Sequence, residues 1–223
     1  MKTPIYITAY CKISGNKVAL NENIVLQGQE NSMFPDFIKQ VYKEFDIAYP
    51  KFFKMDNLCK IGFAAAEIAL KKTGILHRYK EDEIAIIFQN GSSSIDTDTD
   101  YQQTISDRDN YFPSPGLFVY TLPNILIGEI CIRNHLTGEN TLFVSEKPDL
   151  PFLHKYAESL LLSGKTKACI MGWVDFNRLS EDKNNVQYEA YLYIVESKEN
   201  KLNFEHTIDN IITFYQSQYS WKI

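Results

Sequence analysis

Apolar and polar positions alternate along the chain with two different periods, which predicts strands interleaved with helices. Strand-like runs, rich in β-branched, aromatic or continuous apolar residues, are residues 5–13, 17–20, 83–88, 141–144, 168–174 and 187–195. Apolar residues recur at helical spacing in residues 35–45, 57–72, 99–105, 117–136, 148–162 and 204–215. Because strands and helices take turns, we expect one α/β domain over residues 1–223, with helices on both faces of a mixed sheet.

Local signals define several boundaries of these elements. Asp56 is placed to cap the helix of residues 57–72, and Gly74 is placed to end it. Pro148 suits the first position of the helix that follows the 141–144 strand, and Asp149 suits its first turn. We expect a polar loop over residues 91–100.

Composition excludes several classes of function. The 223 residues carry a net charge of −5, whereas nucleic-acid binding and attachment to anionic membranes both need a basic face. The most apolar stretch, residues 117–136, is interrupted by Pro123, Asn124, Glu129 and Arg133, so we expect a buried helix rather than a membrane span. The first residues contain no long apolar run, so we expect no signal peptide and a cytoplasmic location.

Familiar site motifs are absent or incomplete. The four cysteines are scattered without a CxxC pair, so we expect buried, reduced thiols and no zinc site: Cys11, Cys59, Cys131 and Cys169. The Asp96, Asp98 and Asp100 series resembles the start of a calcium loop but lacks its glycine and its final glutamate. The run Gly91 to Ser94 lacks the ending of a phosphate loop. We therefore expect neither metal nor cofactor.

Three segments together resemble the N-terminal half of β-ketoacyl synthases, whose fold is thiolase-like. Residues 114–144 resemble the stretch that leads into the strand before the nucleophile, with Asn124, Gly128, Gly138 and Asn140 at matching positions. Residues 52–70 resemble an earlier helix of that family, and residues 163–175 resemble the strand that follows the nucleophile helix. The resemblance implies a truncated, thiolase-like half.

The resemblance also locates the position of the nucleophile. In the family a cysteine follows the glycine of the turn by nine residues and precedes the glycine that ends the next helix by seventeen. Counted from Gly138 and from Gly164, both spacings arrive at Lys147, and a slip of one residue gives Glu146. A cysteine there draws thiolate character from the helix N-terminus, which a lysine does not use.

The family's histidine motifs, which belong to its C-terminal half, are also missing. We expect structural or surface roles for the four histidines of this chain, His77, His135, His154 and His206. The resemblance therefore implies a chain without the catalytic residues of a synthase.

The function implied is that of a non-catalytic partner of the chain-length-factor type. Such a subunit forms a heterodimer with a full-length, active β-ketoacyl synthase in type II fatty acid or polyketide biosynthesis, here of aryl polyene or flexirubin-type pigments, and it also meets an acyl carrier protein. Pairing would use the 141–144 strand and the 117–136 helix, with six residues at the interface or tunnel: Phe118, Tyr120, Thr141, Leu142, Phe143 and Val144. A missing second half would also leave an apolar face exposed for a partner.

Two other functions stay open at the level of sequence. A carrier-protein-binding assembly module would need a basic patch, for which the candidates are Lys51, Lys54, Lys60, Lys71 and Lys72. An enzyme with altered chemistry at Lys147 or Glu146 would need a closed pocket and a perturbed titrating group there.

Overall fold

The computed structural model describes residues 4–197 and 204–217, which form one mixed sheet flanked by helices. The eight strands are β1 (Tyr6–Ser14), β2 (Lys17–Leu20), β3 (Asn23–Gln27), β4 (Ile84–Asn90), β5 (Asn140–Val144), β6 (Ala168–Arg178), β7 (Val186–Glu196) and β8 (Phe204–Glu205). The seven α-helices are α1 (Phe34–Glu44), α2 (Asn57–Thr73), α3 (Ile95–Gln103), α4 (Pro115–Val119), α5 (Ile125–Asn134), α6 (Leu150–Leu162) and α7 (Ile208–Gln216). Two short 3₁₀ helices cover Pro50–Lys54 and Ile75–His77.

The strand order across the sheet is β3-β2-β1-β7-β6-β4-β5, with β8 added to β1. Strand β4 runs parallel to β5 and to β6, whereas β7 runs antiparallel to both β6 and β1. Every residue of β4 is buried, as its continuous apolar run predicts for a strand covered on both faces. The two outer strands of the main order, β3 and β5, leave the sheet with two edges.

Helices cover both faces of the sheet, so the expected architecture is confirmed. On one face, buried side chains of α1, α2 and α5 share a core with residues of alternate register on the strands. On the other face, α6 and α7 bury a smaller cluster that includes the rings of Tyr10, Tyr191 and Tyr193. The loss of apolar surface from water on each side is the main stabilising contribution.

Helix α2 is the central element of the larger core. All of its residues from Ile61 to Leu70 are buried, and its small side chains let α5 approach closely. A Cβ at Gly62 would lie 2.6 Å from a methyl group of Leu126 on α5. The predicted caps are confirmed: the Asp56 carboxylate accepts from the Cys59 N–H at 2.8 Å, and Gly74 ends the helix at φ 65°.

Several predicted boundaries are wrong. Strand β3 was not expected, and residues 204–205 form a strand where a helix is predicted. The 117–136 helix is two helices, since Pro123 lies between α4 and α5. Helix α3 begins four residues before the predicted start because Asp96 and Thr97 of its first turn bind Asn57 of α2 and Asp56, the N-cap of α2.

The described residues bear on the expectations for the cysteines and for a membrane span. All four cysteines are free thiols there, three of them buried and Cys131 half-buried. Burial raises the pKa of the Cys131 thiol, as it does for the three buried ones. In the part of the chain that the structure covers, no helix combines the length and apolarity that crossing a bilayer requires, and no cluster of three or more metal-binding side chains is found.

Candidate functional site

The connection between β5 and α6, residues 145–149, contains both nucleophile-position candidates and is held at each end by the last residues of β4. The Ser145 N–H donates to the carbonyl of Asn90 at 2.9 Å, and the Asp149 N–H donates to Oε1 of Gln89 at 2.8 Å. Gln89 and Asn90 are 2% and 0% exposed. Because buried polar groups are costly unless they are paired, these bonds fix the path of the connection.

Lys147 lies exposed in the middle of this connection, and Glu146 beside it is exposed as well. The Ser145 hydroxyl donates to the carbonyl of Lys147 at 3.0 Å. Asp149 is the N-cap of α6 and accepts from the Phe152 N–H at 2.9 Å, so the helix begins at Leu150 rather than at Pro148 as predicted. Lys147 therefore lies three residues before the first residue of the helix.

A small cavity of about 200 Å³ lies against this connection. It is lined by Glu146, Lys147, Pro148, Trp173, Asp175, Asn177, Gln187, Tyr188, Glu189 and Tyr215. Two of its acidic groups already have partners: Glu189 pairs with Lys12 at 3.2 Å and accepts from the hydroxyl of Tyr215 at 2.9 Å. The second, Asp175, accepts hydrogen bonds from the loop after β4.

The loop after β4 folds around the Asp175 carboxylate. Its Oδ1 accepts from the N–H groups of Gly91 at 3.2 Å and Ser92 at 2.8 Å and from the amide of Asn90 at 3.1 Å, while Oδ2 accepts from the Ser92 hydroxyl at 3.0 Å. Consecutive N–H groups of this kind form an anion-binding nest. Here the chain supplies the anion itself, so the Asp175 carboxylate occupies the N–H groups of Gly91 and Ser92.

The positions that carry the family resemblance differ in how strongly the structure constrains them. A Cβ at Gly138 would lie 2.3 Å from the carbonyl oxygen of Ile84, so only glycine fits there. Gly164, directly after α6, has φ +77°, a conformation that favours glycine. Asn124 precedes α5 without capping it, Gly128 has open space around it, and Asn140 is exposed at the start of β5.

Strand β5 lies at a sheet edge and carries four of the predicted interface residues. It pairs with β4 on one side, and no described strand pairs with its other side. Thr141, Leu142 and Phe143 are half-buried, and Val144 is 59% exposed. An edge strand offers unpaired N–H and C=O groups to another chain.

Large apolar side chains are also exposed on the segment around α4 and α5. We call them the 111–132 apolar surface: Tyr111, Phe112, Phe118, Val119, Leu122 and Ile132. Their exposed fractions run from 45% to 79%, and α5 packs against β5. The surface contains Phe118 but not Tyr120, which is 8% exposed.

Tyr120 instead belongs to a buried polar group. Its hydroxyl donates to Oε1 of Glu129 at 3.2 Å, and Lys51 reaches the same oxygen at 2.8 Å. Glu129 is 3% exposed on α5, and its charge raises the pKa of Tyr120 after desolvation, the larger cause. In the sequence Glu129 is only an interruption of an apolar run, so this group was not predicted.

Charged side chains occupy the candidate calcium loop. Asp96 and Asp100 both pair with Arg178 of β6, and Lys183 adds a second cation 3.0 Å from Asp100. These cations lower the pKa of Asp100 against the opposing effect of desolvation. The acidic side chains therefore join α3 to β6.

Comparison with known proteins finds likeness in structure. No protein-family model matches the chain, and no curated protein matches it in sequence. A chain of the ishigamide ketosynthase/chain length factor superposes with a TM-score of 0.59 at 14% identity, covering 86% of this chain and 62% of that one. A chain of AntDE:AntF, a type II PKS acyl-carrier protein in complex with its ketosynthase, gives 0.58 at 13%, covering 87% and 63%.

A β-ketoacyl synthase from Burkholderia phymatum STM815 gives a TM-score of 0.53 at 12% identity, covering 88% of this chain and 59% of that one. The chain thus spans about three fifths of the length of these structures. The thiolase-like α/β fold of ketosynthases, expected from the sequence, is confirmed.

Proposed function

We propose that this chain is a ketosynthase-like pseudoenzyme of the chain-length-factor type, which forms a heterodimer with an active β-ketoacyl synthase in type II fatty acid or polyketide biosynthesis. The aryl polyene class of product comes from the sequence resemblance. One observation carries the proposal: a ketosynthase fold presents the exposed ammonium of Lys147 where the sequence spacing places the nucleophile. The thiolate on which a condensing enzyme depends has no counterpart in this connection.

The surface of the chain supports pairing with another subunit. The free edge of β5 offers backbone hydrogen bonds, and the 111–132 apolar surface, whose Ile132 lies on the helix α5 that packs against β5, offers apolar area. The structures it resembles include a ketosynthase/chain length factor and a ketosynthase with its acyl-carrier protein. We infer that the synthase occupies this surface and that the pair serves an acyl carrier protein. The free thiols fit a reducing, cytoplasmic location.

The apolar face that a missing second half would leave exposed is not found on the sheet. The face of the sheet next to α6 is covered by α7, which buries Ile211 and Phe214 there, so of the large apolar residues of α6 only Leu162 is exposed. The apolar exposure is concentrated instead on the 111–132 apolar surface. The exposed apolar residues therefore support pairing through the 111–132 apolar surface and the β5 edge rather than through the face next to α6.

The two other functions gain no support from the geometry. A Schiff-base lysine needs a desolvated site, whereas Lys147 is exposed. A basic patch for a carrier protein is weakened because Lys51 pairs with Glu129, and Lys71 donates to the carbonyls of Phe45 and Asp46.

Co-expression with a β-ketoacyl synthase from the same organism tests the proposal. We expect a 1:1 complex by size-exclusion chromatography with light scattering. Phe118→Asp and Val144→Asp, at positions 55% and 59% exposed, should weaken it by at least tenfold, because a buried charge in an apolar interface is costly. The matched control is Val25→Asp, 38% exposed on the opposite edge strand β3, which should leave the affinity unchanged.

Activity is tested separately by incubating the chain alone with an acyl-carrier thioester. Intact mass spectrometry should show no acyl adduct, and Lys147→Ala should behave in the same way. Acylation of the isolated chain, or a chain that stays monomeric beside its synthase, would contradict the proposed function.

A further inference from the structure

The C-terminal segment of residues 204–217, β8 with α7, lies across the aromatic face of the sheet; we call it the C-terminal strap. Strand β8 pairs with β1 at Tyr6 and Ile7. On α7, the ring of Phe214 stacks on Tyr10 with centroids 4.3 Å apart and planes 10° apart. The strap, together with α6, therefore separates this face from water.

The far end of the strap is fixed by polar contacts. The ammonium group of Lys12 on β1 donates to the carbonyl of Tyr215 at 2.7 Å, and the hydroxyl of Tyr215 donates to Glu189 on β7 at 2.9 Å. When the strap is docked, the polar groups of Lys12, Tyr215 and Glu189 are therefore all hydrogen-bonded.

The near end is held by the backbone of His206. Unlike the polar groups of Lys12 and Tyr215, the ring of His206 makes no hydrogen bond among the described residues. The backbone N–H of His206 donates to the carbonyl of Ile5 at 2.9 Å, and the backbone carbonyl of His206 accepts from Nε2 of His154 on α6 at 2.9 Å. The ring itself stacks on the His154 ring at 4.6 Å and lies 6.0 Å from the ring of Tyr193 on β7. It is 6% exposed, and neither ring nitrogen has a hydrogen-bond partner among the described residues.

The surroundings of this ring disfavour a positive charge. The rings of His154 on α6 and Tyr193 on β7 pack against it, and Glu158 of α6 and Glu205 of β8 line the same small pocket. Glu158 lies 3.9 Å from Nδ1 of His154, while no ion pair joins an acid to His206 within the described ranges. Desolvation, and then the charge of His154, lowers the pKa of His206 to about 3.

We propose that His206 is an acid latch: protonation of its imidazole releases the C-terminal strap from the sheet while the rest of the fold stays intact. Protonation of the docked ring would place a cation against His154. The second N–H of that cation would have no acceptor, because neither ring nitrogen has a partner in the docked strap. Undocking places the ring in water, where it takes up the proton freely. Acid thus exposes the aromatic face that α7 covers.

The sign and size follow from linkage. A histidine whose pKa falls on docking contributes fully to docking above its free pKa of 6.5, and that contribution is lost as the pH falls from 6.5 toward 3. Between pH 7.5 and pH 5 the opening constant of the strap should rise about thirtyfold.

Hydrogen exchange followed by mass spectrometry, corrected for intrinsic rates at each pH, measures that constant. We expect the rise in residues 204–217 and unchanged protection in β4. His206→Phe should abolish the pH dependence; His206→Gln serves if the phenylalanine variant does not fold. His77→Gln, at an exposed histidine, is the control and should keep the rise. Protection that is independent of pH, a rise that persists without His206, or loss of β4 protection together with the strap would overturn the latch.

Discussion

Removing the Asp175 carboxylate should loosen the loop after β4, and its cost follows from the geometry. Four hydrogen bonds from Asn90, Gly91 and Ser92 end on this one group. Hydrogen bonds to a charged group contribute about 1.5–3 kcal/mol each, but water can replace some of them in a half-buried loop. We therefore expect Asp175→Ala to lower the free energy of unfolding by about 2–4 kcal/mol.

Asp175→Asn is the matched variant, because it keeps the shape and one oxygen acceptor. It should cost about 1 kcal/mol. Asp109→Ala, at an exposed aspartate, is the control and should fall within about 0.5 kcal/mol of the parent.

Urea unfolding monitored by circular dichroism gives these differences, and for a chain of this size the alanine variant should melt about 5–15 °C lower. The emptied nest should also bind an external anion, so phosphate should raise the melting temperature of Asp175→Ala more than that of the parent. A loss below about 0.5 kcal/mol for Asp175→Ala, equal to the control, would refute the account of the loop.

Three further predictions concern the core. Gly172→Ala should prevent folding or cost more than about 3 kcal/mol, since a Cβ there would lie 2.0 Å from the carbonyl of Tyr191; expression and melting temperature measure this. Lys51→Met should cost about 1–3 kcal/mol in urea unfolding by leaving the buried Glu129 without its cation, whereas Lys51→Arg should restore part of the loss. A thiol reagent should label Cys131 first in the native protein, and the three buried thiols only after denaturation; equal labelling rates would contradict their burial.

The main elements of the fold were predictable because their signals are local and strong. The continuous apolar run of β4 and the caps of α2 at Asp56 and Gly74 required no tertiary information. The early start of α3 was not predictable, because bonds from Asp96 and Thr97 to another helix stabilise its first turn.

The site shows the same division. Spacing between glycines predicts Lys147 as the nucleophile position, and this stays a prediction, whereas the restriction of position 138 to glycine comes from a backbone oxygen of β4. By contrast, the roles of Asp175 and Glu129 depend on partners distant in sequence. Whether the face next to α6 is buried depends on where α7 packs. Sequence patterns near these residues contain no trace of such pairings.

The bonds that shape the connection after β5 come from Gln89, Asn90, the Ser145 hydroxyl and the main chain, and none depends on the side chain at position 147. The path of this turn is therefore independent of the side chain at position 147, which can be exchanged without unfolding the chain. The same independence makes Lys147 a convenient place to graft a new functional group, a cysteine or a spectroscopic probe included, onto an unchanged backbone.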